Sequence, residues 1–221
     1  MFVEPQVMSN PFDDAELVKG YEDWYAGRGR RADFLEKRLL AHLLSDFPEA
    51  KTVLEVGCGT GHFTRWFAEL GFHIVGLDNS EAMLAEARKR NGVSYVAGDA
   101  LALPFDDRSF DVVAFVTTLE FMADPERALR EAARVARRGL LLGVLNSYSL
   151  LAVKRRISGK PPWNEAQFFS PGQLVRYVRN STGTRLGHLQ WRTTLWPVLG
   201  LKSLPLPWGG FIGMAVQLRQ D

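Results

Sequence analysis

The chain has 221 residues and a net charge of +2, from 27 basic and 25 acidic side chains. Apolar residues make up 46% and charged residues 24%, which excludes a disordered or low-complexity chain and suits one domain with a sizeable core. The single cysteine, Cys58, excludes an internal disulfide and a multi-cysteine metal site, and so even a charge balance does not demand a nucleic-acid partner.

The first 14 residues carry acids and prolines rather than a basic start and an apolar core. No apolar run approaches the roughly 20 residues of a membrane span. The expectation is a soluble, cytoplasmic protein with no membrane attachment. Residues 15–47 read as helix, broken near Gly27 and Gly29 and ended by Pro48. Residues 52–56 form a short β-branched strand closed by glycine. In residues 62–70, Phe63, Trp66, Phe67 and Leu70 fall on one helix face. Residues 73–77 predict a second strand, and 80–90 a helix with Ser80 as N-cap. Strands follow at 93–97 and 110–117, the latter apolar almost throughout, as a strand covered on both faces requires. A helix over 125–136 begins with proline at its first turn, and a fifth strand covers 140–145. Strands alternating with helices imply parallel βαβ units. After Asn146 the alternation stops. A helix over 171–179 and strands near 184–191 and 211–219 complete the chain.

The most informative stretch is Glu55-Val56-Gly57-Cys58-Gly59-Thr60-Gly61, which follows a strand and opens a helix. Glycines in that context let a backbone approach a ligand closely. The dinucleotide fingerprint needs a sixth-position glycine, and His62 stands there instead. Glu55, two residues before the first glycine, is a poor neighbour for a pyrophosphate and a tolerable one for a cation. About 20 residues on, Gly76-Leu77-Asp78-Asn79-Ser80 places an acid at the end of the second strand. Gly98-Asp99-Ala100 then leads to Leu103-Pro104-Phe105-Asp106 and, further on, Ser109-Phe110-Asp111.

Jointly these motifs resemble the class I S-adenosylmethionine-dependent methyltransferases, and in particular the type 11 group. The resemblance covers residues 15–180 and includes Asp124-Pro125, Phe169-Ser170-Pro171 and a Tyr21-x-x-Trp24-Tyr25 segment. It implies an α/β fold: a three-layer, doubly wound, Rossmann-like sheet of seven strands in order 3-2-1-4-5-7-6, with strand 7 antiparallel. It implies a single methyltransferase domain, with residues 1–45 as an N-terminal helical lid and 147–170 as a substrate-side insertion. It implies S-adenosyl-L-methionine as cofactor and S-adenosyl-L-homocysteine as product.

Carried over position by position, the resemblance puts Gly57, Gly59 and Gly61, with Cys58 and Thr60 between them, at the methionine end of the cofactor. Glu55 orders this loop or the cofactor ammonium. Asp78 accepts from the ribose hydroxyls, since a carboxylate matches a diol. Asn79 and Met83 lie beside the adenine, although Met83 at helical spacing fits a core equally well. Asp99 accepts from the adenine amine, flanked by Gly98, Ala100 and Leu101. Thr117, Thr118 and Leu119 end the fourth strand, where the transferred methyl points. Tyr21 and Tyr25 belong to the lid, or else staple the first helix to the sheet. Glu120 reads as a substrate contact or an exposed loop carboxylate. The four histidines share no metal-ligand spacing, so no metal is expected.

The cofactor already activates its methyl, so no catalytic residue is demanded by the sequence. The expected partner is a small-molecule acceptor, with nucleic acid and protein acceptors left open. Two other functions compete: a non-catalytic cofactor-binding module, and a nicotinamide-dependent oxidoreductase, which His62 and Glu55 disfavour. Arg28, Arg30 and Arg31, Arg137 and Arg138, and Lys154 to Arg156 read as solvated faces ahead of an anion site. Trp163, Trp191, Trp196 and Trp208 read as core ahead of a substrate pocket.

Overall fold

Strand residues alternate between two apolar environments. Leu54, Val113, Phe115, Leu140 and Leu142 enter one core, while Val53, Val112, Ala114 and Leu141 enter another. A two-residue period does this only when a sheet is covered on both faces. The computed structural model describes residues 11–90, 92–150, 152, 153, 157, 163, 166–195 and 203–220. Its strands are β1 (Thr52–Val56), β2 (His73–Asp78), β3 (Ser94–Ala97), β4 (Phe110–Val116), β5 (Ala136–Leu145), β6 (Leu186–Thr194) and β7 (Phe211–Leu218). They form one seven-stranded sheet in the order β3-β2-β1-β4-β5-β7-β6. The first five strands are parallel, and β7 runs antiparallel to both β5 and β6.

Helices α1 (Ala15–Ala26), α2 (Arg30–Leu44), α3 (His62–Glu69), α4 (Glu81–Arg88), α5 (Pro125–Val135) and α6 (Pro171–Thr182) surround the sheet. α2 and α3 contribute Leu39, Leu40, Leu43, Phe63 and Phe67 to one core. α5 and α6 contribute Leu129, Ala132, Leu174 and Val178 to the other. Three helices start on a side-chain cap. Ser80, Asp124 and Ser170 accept from the N–H groups of Met83, Arg127 and Gln173 at 3.2, 2.9 and 3.2 Å. Such caps contribute about 0.5–2 kcal/mol each and place the start of a helix sharply.

Among the predicted boundaries that move, two do so through long-range pairing and one through a contact within its own helix. β5 begins at Ala136 instead of 140, because Phe110 pairs with Ala136 and the Arg137 guanidinium reaches Asp111 at 2.8 Å. α6 continues to Thr182, whose hydroxyl donates back to the Val178 carbonyl at 2.8 Å. β6 extends to Thr194, which pairs with Phe211 of β7. The predicted leader falls mostly on residues 1–10, and much of the 147–170 insertion, with Lys154 to Arg156, lies outside the described residues, as does Trp196. Trp191 packs against the α5 and α6 core, and Trp208 is exposed. Among the described residues no helix is long and apolar enough to cross a membrane.

Asp111 knots the edge of the sheet opposite the glycine loop. Its Oδ2 accepts from the Lys51 and Thr52 N–H groups at 2.9 and 3.1 Å, and its Oδ1 from Arg137. Burial alone would raise its pKa, but these hydrogen bonds outweigh it and hold the carboxyl at about 2. A depressed pKa contributes stability above the ordinary carboxylate value, and that stability is lost as pH falls through the folded value. Asp111→Asn should therefore lower stability at neutral pH by about 1–3 kcal/mol. Chemical denaturation from pH 6 down to ~2 should show the difference between the two proteins shrinking only below pH ~4.

Candidate functional site

The carboxyl ends of β1, β2 and β4 open into a cavity of about 410 Å³. Parallel sheets place ligands at this edge, because the loops there leave the sheet in opposite directions. The loop after β1 forms one wall. Gly57, Gly59 and Gly61 have φ of +71°, +53° and +76°, a region that costs other residues about 1–2 kcal/mol. Two of these glycines are also required by packing inside the protein. A Cβ on Gly57 would lie 1.9 Å from Thr118 Cγ2, and one on Gly61 2.1 Å from the Tyr95 hydroxyl. At Gly59 the nearest atom is Met83 Sδ at 3.9 Å. That side of the loop is a cradle with backbone for its floor, into which a ligand fits and a side chain would intrude.

Asp78 ends β2 and grips this loop. Its Oδ2 accepts from Gly59 N–H at 2.7 Å and its Oδ1 from Ser80 N–H at 2.9 Å. Burial raises its pKa above the usual carboxylate value, against these backbone hydrogen bonds. The Asn79 backbone also bonds to it, and Asp78 lines the cavity beside Asn79 and Met83. Asp99, Gly98, Ala100 and Leu101 supply another wall, where Asp99 Oδ1 accepts from Leu101 N–H at 2.8 Å. Thr117 closes the end of β4 with φ of +53°. A β-branched residue in that region is an outlier, held here at a cost of about 1–3 kcal/mol by its surroundings. Its N–H donates to the Gly143 carbonyl at 2.7 Å. Phe12, Phe121 and Met122 make an apolar side to the cavity.

The structure brings together Tyr21, Gly57, Gly59, Asp78, Asn79, Met83, Gly98, Asp99, Ala100, Leu101 and Thr117 around this space. It turns the other expected residues elsewhere. Glu55 is buried under the loop and accepts from the Thr64 hydroxyl at 2.5 Å. Burial pushes its pKa up to about 8, so it is protonated at neutral pH and ties β1 to α3. Cys58 is buried, its thiol raised well above the ordinary value by burial. The Thr60 hydroxyl donates to Glu22 at 2.6 Å. Leu119 is fully buried, and its neighbour Thr118 takes its place on the cavity wall, donating to the Gly57 carbonyl at 3.0 Å. Glu120 is neither exposed nor on the cavity. It is buried and accepts from the Leu145 N–H at 2.5 Å.

On α1 the two tyrosines face different ways. Tyr21 lines the cavity, with burial pushing its pKa up to about 12. Tyr25, one turn on, is buried and stacks on the His62 ring with centroids 3.7 Å apart. Around it lies a charged clasp that single-sequence patterns do not reveal. Glu22 accepts from the Thr60 hydroxyl, and both its oxygens accept from Arg65 Nη2 at 2.9 and 3.0 Å, while Arg65 Nη1 donates to the Thr60 carbonyl. His62 Nε2 lies 2.7 Å from Asp33 and 2.9 Å from Lys37 Nζ. The only signal in the sequence was His62 itself, standing where a dinucleotide loop needs glycine. Its partners are 25 to 40 residues away.

Gly57→Ala should lower the melting temperature more than Gly59→Ala, since both pay the positive-φ cost and only the former displaces Thr118. Cutting the clasp with Glu22→Ala should speed amide exchange across residues 15–26 while leaving β1 and β4 protected. Burial lowers the His62 pKa, but its bonds to Asp33 and Glu22 outweigh this and raise it. A raised histidine contributes below its ordinary value and loses that contribution as pH rises through the folded value. Exchange over residues 15–26, corrected for intrinsic rates, should thus quicken above neutral pH in the native chain. In His62→Gln it should be flat with pH.

With this geometry in view, comparison with known proteins is specific. The family described as a methyltransferase domain matches residues 54–142. The chain is 31% identical to a solved S-adenosylmethionine-dependent methyltransferase from Thermotoga maritima, named as a possible histamine N-methyltransferase. The two superpose with a TM-score of 0.78 over 93% of this chain and 98% of that one. It is 39% identical over 149 residues to a demethylmenaquinone methyltransferase of Thermobifida fusca, covering 62% of this chain and 63% of the relative. It is also 38% identical over 104 residues to that of Renibacterium salmoninarum, covering 47% and 44%. The chain thus spans about half the length of some of the curated relatives it matches. The glycine cradle, the acid that grips it, the strand order and these likenesses agree: the chain belongs to the S-adenosylmethionine-dependent methyltransferases.

Proposed function

We propose that the chain, as one methyltransferase domain, transfers a methyl group to a small, largely apolar acceptor carrying a ring. The observation that carries this is the cavity itself. Its polar wall (Gly59, Asp78, Asp99) faces the apolar side made by Phe12, Phe121 and Met122 within one space of about 410 Å³. That volume lies at the low end for ligand sites, so a nucleoside-sized cofactor leaves room for a compact acceptor only. The apolar side suits the quinone-like ring in the names of the curated relatives.

In this proposal Gly57 and Gly59 present backbone to the methionine end, Asp78 accepts from the ribose and Asp99 from the adenine. Asn79, Met83 and Leu101 flank the base. When bound, S-adenosylmethionine supplies an electrophilic methyl on a positively charged sulfur. The protein's task is to align the acceptor, and alignment of this kind contributes roughly 7–11 kcal/mol to lowering a barrier. Tyr21, with its pKa near 12, stays protonated and serves as a donor, not a base. Glu55, protonated near neutrality, adds no negative charge beneath the loop. Tyr21 and the clasp behind it make α1 the lid of the cavity.

Titration calorimetry with S-adenosylhomocysteine tests the cofactor side. Asp78→Ala should lose about 2–4 kcal/mol, or roughly 30- to 1,000-fold in affinity, and unchanged affinity would remove Asp78 from the ribose. Transfer of labelled methyl to demethylated naphthoquinols and to aromatic amines tests the acceptor. Cofactor binding without transfer to any acceptor would favour a non-catalytic binding module, and tight NAD binding would favour an oxidoreductase.

A further inference from the structure

Six arginines sit in ion pairs among the described residues: Arg65 with Glu22, Arg88 with Glu81, Arg90 with Glu86, Arg134 with Glu131, Arg137 with Asp111 and Arg138 with Glu49. In one region four unpaired arginines gather. Arg28, Arg30, Arg31 and Arg38 line an open groove of about 890 Å³ beside α2 and make no ion pair or hydrogen bond among the described residues. Lys37, on the same groove, is neutralised by Asp33 at 3.1 Å. Between the arginines lies Phe34, 55% exposed, and the far wall is Trp66 of α3. The groove shares no lining residue with the cofactor cavity. The pattern on α2 is one-sided: Leu35, Leu39, Leu40 and Leu43 are buried on the opposite stripe.

We propose that this groove binds a single-stranded nucleic acid segment. Four unmatched guanidiniums are forks suited to phosphate oxygens. Arg30 and Arg38 are eight positions apart on one helix, roughly 12 Å, which spans more than one phosphate of a strand. An exposed aromatic between cations is the platform on which a base stacks. An aromatic ring exposed between the arginines favours a strand, whose bases can stack on it, over a lipid headgroup layer, which offers phosphates and no ring. The site is a second one, separate from methyl transfer, and does not depend on what the acceptor is.

The test is fluorescence anisotropy of the full chain with labelled 12-nucleotide RNA and DNA of mixed sequence, across a salt series. Binding should weaken with salt, with a log–log slope near −3 for about four phosphate contacts. The double variant Arg31→Ala/Arg38→Ala should weaken binding at least tenfold and flatten the slope. Phe34→Ala should weaken it about 5- to 100-fold, the range expected for losing one stacked base. All three side chains are exposed, so melting temperature and S-adenosylhomocysteine affinity should hold in both variants, which separates failure here from failure of the methyltransferase assignment. Absence of binding, or binding indifferent to the arginines, overturns the proposal. Binding indifferent to Phe34→Ala overturns the choice of nucleic acid over a generic polyanion. Arginine-dependent binding to phosphatidylglycerol vesicles without binding to either oligonucleotide overturns it in favour of a membrane surface.

Discussion

Asp78 is the constraint on which the site depends. One carboxylate, at the end of β2, accepts from Gly59 of the β1 loop and from Ser80 at the start of α4. It therefore fixes two neighbouring turns relative to each other and lines the cavity. The cost is burial of a charge, visible in its raised pKa, and backbone hydrogen bonds from Ser80, Gly59 and Asn79 offset part of that cost. The glycines make this possible: a side chain at Gly57 would collide with Thr118, and one at Gly59 would stand where the ligand's space begins.

A second layer of restraint comes from outside the sheet. Glu22, Thr60 and Arg65 join α1 to the back of the same loop, while Tyr25 and Asp33 hold His62. Tyr21 enters the cavity from the helix that this clasp positions. One aromatic of this segment faces the cavity and its neighbour a turn later faces the core. Bonds of this kind, only half removed from water, are individually modest.

Charge is distributed unevenly despite its even total. Some arginines are held in structural pairs, such as those that anchor β5 through Asp111. The α2 groove keeps its guanidiniums unmatched around an exposed phenylalanine. A net charge of +2 says nothing of such a concentration, because a sum over the chain discards position.

The local features of the fold were legible in the residues themselves. Short β-branched and apolar runs located the strands, Ser80 and Pro125 marked helix starts, and the glycine motif with Asp78 pointed to the sheet edge where the cavity lies. Each depends on neighbours within a few positions, where propensity and period act directly. The strand order 3-2-1-4-5-7-6 was implied by family resemblance alone, since no local pattern says that β7 inserts between β5 and β6. What only the tertiary structure decided is which way each side chain turns once the chain has closed on itself. Tyr21 faces the cavity and Tyr25 the core. Of the three residues ending β4, Thr117 and Thr118 line the wall while Leu119 is buried, and Glu120 turns inward to the Leu145 N–H. Glu55 lies beneath the loop, not on its ligand face. These outcomes depend on partners such as Glu22 and Arg65, 43 residues apart, and pairings at that separation leave no periodic trace in a single sequence.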